Sequence, residues 1–324
     1  MLNGPGLLLS ERTQKDRTKS WAIVLFIGYW VMFAAELFMV RFQRGTDGLW
    51  VATTAEEPAA WLVILILSVT GISLLVSIVY AVQAARNRGR GDWLWTPSEV
   101  TGSDVLHVVA WLHVFQTCTL VLYGLVLPAT LFPAGSIGSF VESASFQLFI
   151  LVLVPLLLRG RLDQIGVCRP RQLGWMIVSL ILLFLAVMLL LDVAVTKPVA
   201  EWFGLALDSE REKQIEQEIV HARERNGWAV LTSLVMIGGL VPLAEELLFR
   251  GVVQTFLVSR LGAVIGIFIN SLWFALIHVD IALLAPLFAM GVFLGYLRHR
   301  FQSIWGAVLL HALNNMAGVL YYFQ

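Results

Sequence analysis

The chain has 324 residues, 22 basic and 22 acidic side chains, and a formal net charge of zero. It is 58% hydrophobic and only 14% charged, with a mean hydropathy of +0.80, whereas a soluble domain is about 45–50% apolar and about 25% charged. This balance excludes a soluble enzyme, a disordered chain and a secreted disulfide scaffold. The lack of a basic surplus argues against nucleic acid as a partner. The sequence predicts an all-α integral membrane protein, a polytopic bundle of about 8–9 transmembrane helices.

A helix needs roughly 20 apolar residues to cross a bilayer. In chain order the apolar runs are Trp21–Val40, Ala60–Val82, Val105–Leu131, a shorter Phe146–Leu158 and Leu173–Val195. The last third adds Trp228–Val258, Gly262–Val279, Ile281–Leu297 and Ser303–Tyr322. The first run follows Arg12, Lys15, Arg17 and Lys19 with no small-residue cleavage site, so it reads as an uncleaved anchor. With the N-terminus inside, the inner segments hold 14 Lys and Arg and the outer ones 7. That bias predicts a cytoplasmic N-terminus. Cys118 and Cys168 fall in an apolar run and among arginines, which makes neither a disulfide pair nor a metal spacing.

The pattern divides the chain into residues 1–195, a polar outer segment 196–227, and 228–324. Within the outer segment, Asp208–Arg225 is charge-dense, with Ile215, Ile219 and Ala222 at helical spacing, and predicts a surface amphipathic helix. An ionisable group inside a span is costly and marks a site by default. In the first part these are Glu36, His107, His113 and Asp192, scattered, and a structural role is expected of them.

The last part differs. It holds Pro242-Leu-Ala-Glu-Glu-Leu-Leu-Phe-Arg250, then Phe274-Ala-Leu-Ile-His278, then His311-Ala-Leu-Asn-Asn315. Glu246 and Arg250 are four apart and can pair on one helix face. Glu245 is turned about 100° away and is left as the free carboxyl group. Phe274 lies one turn before His278, and His311 shares a face with Asn315. Counted from the inner turns at about 1.5 Å per residue, Glu245 lies about 20 Å up, His278 about 24, His311 about 13 and Asn315 about 19 Å. The Gly238-Gly239…Pro242 stretch predicts a break that adjusts these depths. A buried carboxyl, two imidazoles and an amide offer a general base and hydrogen-bond donors. Glu245, His278 and His311 are also a possible zinc set, although no His-Glu-x-x-His motif exists. A proton relay in a transporter uses similar groups, but no inverted repeat is visible.

At these residues the chain resembles the CPBP family of intramembrane proteases, which includes the Ras-converting CAAX prenyl endopeptidases and bacterial Abi-type, bacteriocin-processing and immunity proteins. EELLFR at 245–250, FALIH at 274–278 and HALNN at 311–315 resemble its three motifs in order, and FAMGVFLG at 288–295 is also family-like. The resemblance covers about Trp228–Gln324. It implies an intramembrane endopeptidase in which Glu245 and His278 activate a water and His311 and Asn315 stabilise the oxyanion. Glu246, Arg250 and Phe274 would support them. It further implies no required cofactor, with zinc as the alternative. The partners it implies are the lipid bilayer and a membrane-associated or lipidated protein substrate, and the setting a bacterial inner membrane. A non-catalytic immunity-type protein with the same polar core is the other reading.

Overall fold

The computed structural model describes residues 17–55, 57–88, 99–127, 130–225 and 227–322. Arg12, Lys15 and Arg90, on which part of the expected orientation rests, lie outside the described residues. Among the described residues the molecule is 77% helical with almost no sheet. The first helices are α1 (Arg17–Met39), α2 (Ala60–Arg88), α3 (Gly102–Leu125), α4 (Ile137–Ser143) and α5 (Ser145–Leu157). Then come α6 (Leu173–Ala186), α7 (Lys197–Phe203), α8 (Glu210–Arg225), α9 (Gly227–Val235), α10 (Val241–Glu246) and α11 (Gln254–Leu261). The chain finishes with α12 (Ala263–Leu276), α13 (Leu284–Phe301) and α14 (Trp305–Tyr321).

Three wide-turn π-helical segments join some of these without a break. Val187–Thr196 connects α6 to α7, Met236–Leu240 connects α9 to α10, and Leu247–Val253 connects α10 to α11. The continuous helices Leu173–Phe203 and Gly227–Leu261 result. The predicted span ending at Val195 therefore runs on to Phe203. The predicted break at Gly238-Gly239…Pro242 is a wide turn, and the helix runs on through Pro242, whose missing N–H leaves one carbonyl of that turn without its backbone partner.

Five described helices are long and apolar enough to cross a bilayer, or six if the bent pair α4–α5 counts as one. The expected count of 8–9 came from treating every apolar run as a full span. Instead α12 holds 14 residues, and α14 17. The outward faces remain apolar: Ile64, Leu67 and Leu75 of α2 are all about two-thirds exposed, a surface only lipid can cover.

An unpredicted hairpin, β1 (Val40–Arg44) with β2 (Trp50–Thr54), follows α1. Trp50 donates to Gly204 O at 2.7 Å and accepts from Ala206 N at 2.9 Å, which ties the hairpin to the end of α7. The start of α3 carries a capping box between Thr101 and Asp104. The same Asp104 carboxylate holds buried Arg161 at 2.7 Å, fixing α3 to the turn after α5.

The main core joins the two halves of the sequence. Val108, Val109 and Leu112 of α3 and Ile150 and Val154 of α5 pack with Ala244, Leu248, Phe249 and Phe274. A second cluster joins Met176 and Val187 to Leu294, Leu297, Ala307 and Leu310. Gly291 and Gly295, four apart on α13, allow a close crossing with α12. A Cβ on Gly291 would stand 2.9 Å from Ser271 Cβ, and one on Gly295 would stand 2.7 Å from Ile267 Cγ2. Small residues at this spacing are a common way for helices to approach within a membrane.

Candidate active site

The two carboxylates sit in α10, six residues between two π segments. Glu246 is fully buried and Glu245 is 7% exposed. As their rotation requires, they face different partners. Arg250 Nη1 donates to Glu246 Oε1 at 3.1 Å. Arg250 is fully buried, donates through Nη2 to Gly291 O at 3.2 Å, and lies 4.4 Å from the centre of the Phe274 ring. Four residues on, Gln254 Nε2 donates to Gly295 O at 2.9 Å. The glycine face of α13 thus brings its carbonyls to the polar face of the motif helix. Arg298 reaches back from α13 to donate to Arg250 O at 3.2 Å and to Thr255 Oγ1 at 3.1 Å.

Glu246 has a second partner that its local sequence does not suggest. His311 Nδ1 lies 3.0 Å from the same Oε1. With Nδ1 held there, Nε2 of His311 stands 4.0 Å from Glu245 Oε2. Glu246 therefore fixes the ring whose other nitrogen faces Glu245. A carboxylate on one imidazole nitrogen sets the ring's orientation and proton placement.

His278 lies just beyond α12, which ends at Leu276, in a turn where Val279 takes φ +50°. Its Nδ1 is 2.8 Å from Phe274 O. A carbonyl only accepts, so Nδ1 carries the proton and Nε2 of the neutral ring keeps its lone pair. Phe274 is fully buried and edge-on to both imidazoles, at 5.0 Å from His278 and 5.8 Å from His311. One ring thus positions Arg250, His278 and His311.

Glu245 and His278 line a common cavity of about 250 Å³. Its wall also includes Glu36 of α1, Gln116 of α3, Gln147 of α5 and Arg211 of α8. Sequence reasoning missed these four. A structural role was expected of Glu36 and of the other three scattered groups, which do not line this cavity. His107 bonds Tyr80 Oη at 2.8 Å, His113 bonds Ser73 Oγ at 2.8 Å, and Asp192 pairs with exposed Lys197. A glutamate and two glutamines inside apolar spans were the available signal, but local spacing cannot link them to motifs that begin 98 to 209 residues further on.

The outer helix α8 reaches this cavity through one loop. Ser209 Oγ accepts from Glu212 N at 3.0 Å, capping the helix, and donates to Asp280 Oδ2 at 2.5 Å. Asp280 lies two residues past His278 and accepts from Leu283 N at 3.1 Å ahead of α13. Withdrawal from water, and then the Asp280 charge, push the Glu212 carboxyl above its ordinary value of 4.5.

Asn315 stands four residues after His311, and its Nδ2 donates to Ile237 O at 3.2 Å. Among the described residues its amide thus engages the π segment before α10. The structure brings Glu245, Glu246, His278, His311, Arg250 and Phe274 together, with Asn315 beside them on the helix that carries His311. Among the described residues, no three His, Cys, Asp or Glu side chains are arranged to hold a metal ion.

No curated protein matches the chain, and no solved structure does. Residues 227–317 match the family described as type II CAAX prenyl endopeptidase Rce1-like. All three motifs and every buried polar contact among them fall inside that stretch. The polytopic helical membrane protein thus carries, from 227 to 317, a stretch that is similar to the Rce1-like family of CAAX prenyl endopeptidases.

Proposed function

We propose that this protein is an intramembrane endopeptidase that hydrolyses a peptide bond of a membrane-associated protein. The observation that carries the reading is the shared cavity of Glu245 and His278, with His311 Nε2 4.0 Å from the Glu245 carboxylate. The family match supports the reaction class.

In this reading Glu245 takes a proton from a water that attacks the scissile carbonyl. The basic Nε2 of His278 shares the proton traffic to the departing amine. Held by Glu246 on its far side, His311 can carry a second proton and donate through Nε2 to the developing oxyanion. Asn315 keeps a second amide hydrogen for the same charge. This reading requires no metal. Arg250 pairs with Glu246, and Phe274 keeps both rings in place. A dry cavity strengthens each of these interactions.

The division of labour follows the sequence. Residues 228–324 form the catalytic core, residues 1–195 supply one wall of the cavity and select the substrate, and 196–227 lie outside. The N-terminus is cytoplasmic, and the setting is a bacterial inner membrane.

The test compares new protein termini in membranes of cells carrying wild type or Glu245→Gln. Fragments made only by wild type support the reading and name the substrate. Identical termini overturn it.

A further inference from the structure

The N-terminal helices give the cavity a charge pattern that hydrolysis itself does not call for. Glu36 lies three residues before the end of α1, and its Oε1 accepts from Gln116 Nε2 at 3.3 Å. Among the described residues it has no cationic partner. Arg211, across the same cavity on α8, likewise has no ion pair among the described residues. The remaining wall is mostly apolar: Phe33, Phe146, Ile150, Leu248, Phe249 and Ile277.

Two carboxyl groups, Glu36 and Glu245, thus line the cavity with one guanidinium. Glu245 has His311 Nε2 at 4.0 Å, the imidazole that carries the second proton in the reading above. Among the described residues Glu36 has no such neighbour. An uncompensated charge in an apolar enclosure is strongly disfavoured. Arg211 is exposed and stands on the outer helix, whereas Glu36 is partly buried in the wall of the bundle. The missing charge therefore belongs beside Glu36. A cation delivered by the substrate would supply it, and the Gln116 amide already orients the carboxylate to receive one.

The geometry points to Glu36 as a specificity-determining residue that receives a basic side chain, lysine or arginine, of the substrate segment next to the scissile bond. This rests on the endopeptidase reading and adds to it a substrate class: an apolar segment carrying one cationic residue. A hydrogen-bonded charge pair in such a site corresponds to roughly 10- to 100-fold in affinity.

The test is binding, which does not depend on turnover. The full chain in detergent micelles is titrated with three 12-residue leucine–alanine peptides that differ only in a central lysine, norleucine or glutamate. Tryptophan fluorescence is the readout, because Trp273 lies 6.4 Å from Tyr29 in the cavity wall. Wild type should bind the lysine peptide roughly 10- to 100-fold tighter than the norleucine peptide. In Glu36→Gln that ratio should fall to near one, and in Glu36→Lys a central glutamate should become the preferred residue. Equal binding of the lysine and norleucine peptides by wild type, or a preference that persists in Glu36→Gln, overturns the inference. If Glu36→Gln does not fold, Glu36→Asp decides: it keeps the charge with a shorter reach, so a reduced preference supports the assignment and an unchanged one overturns it. Cleavage of the same peptides, read by mass spectrometry against Glu245→Gln, reports on the reaction separately. Lysine-selective binding without cleavage would fault the reaction and leave the cation site standing.

Discussion

Replacing Arg250 with methionine removes the guanidinium but keeps an apolar stem of similar reach. The change strands Glu246, which is fully buried, beside Phe274 and the Gly291 carbonyl. Removing one partner of a buried ion pair costs about 3–5 kcal/mol. Here His311 Nδ1 still meets the same carboxylate oxygen at 3.0 Å, so part of the charge stays compensated and the loss should lie near the lower end, about 3 kcal/mol. The assay is denaturant or thermal unfolding of purified protein in detergent. It is repeated in a Glu246→Gln background, where no stranded charge remains. Contacting pairs couple by about 0.5–3 kcal/mol, and the methionine change should cost at least 1 kcal/mol less in that background. An equal loss in both backgrounds would refute the argument that charge compensation, and not packing, makes Arg250 structural.

Phe274→Ala should destabilise the protein by about 3–5 kcal/mol, as for other buried aromatic truncations. It should also lower turnover, because the ring contacts both imidazoles; unfolding and cleavage assays check the two effects. Asn315→Ala should lower turnover about 10²–10³-fold if its free amide hydrogen serves the oxyanion, with little change in substrate affinity by single-turnover kinetics. The raised Glu212 carboxyl makes α8 docking pH-sensitive. Its folded value exceeds the ordinary 4.5, so its contribution is complete below 4.5 and is lost as pH rises through the folded value. Hydrogen-exchange protection across α8, taken relative to the intrinsic rate at each pH, should therefore rise on acidification toward pH 5, and Glu212→Gln should abolish that rise.

The parts of the site that were legible in the sequence are those set by short-range helix geometry. The four-residue spacing of Glu246 and Arg250 predicted their pairing, and the rotation of Glu245 predicted its separate environment. The bond from His311 to Glu246 spans 65 residues, and no periodicity encodes it. The same holds for Glu36, whose role depends on where α1 packs. Helix ends were less legible. Apolar character continues past Leu276, yet α12 stops there because the chain must turn to bring Asp280 to Ser209 and to the start of α13. The apolar runs located the helices but could not separate a full crossing from a short helix inside the bundle, because both are rich in Leu, Ile, Val and Phe.

The wide turns on either side of α10 constrain the chain in another way. A π segment holds about one residue more than the α-helix it interrupts. That extra residue is absorbed inside the wide turn, so deleting one residue from Met236–Leu240 would restore ordinary winding and leave the helix on either side nearly in phase. The loss would be local. With Val241 N bonded to Met236 O, the carbonyl of Ile237 faces Pro242 five residues on, which has no N–H, and it is left open to the Asn315 amide. Ordinary winding would hand that carbonyl to the next backbone N–H in the helix. The segment can thus absorb many apolar substitutions, but its winding decides whether Ile237 has an acceptor to offer.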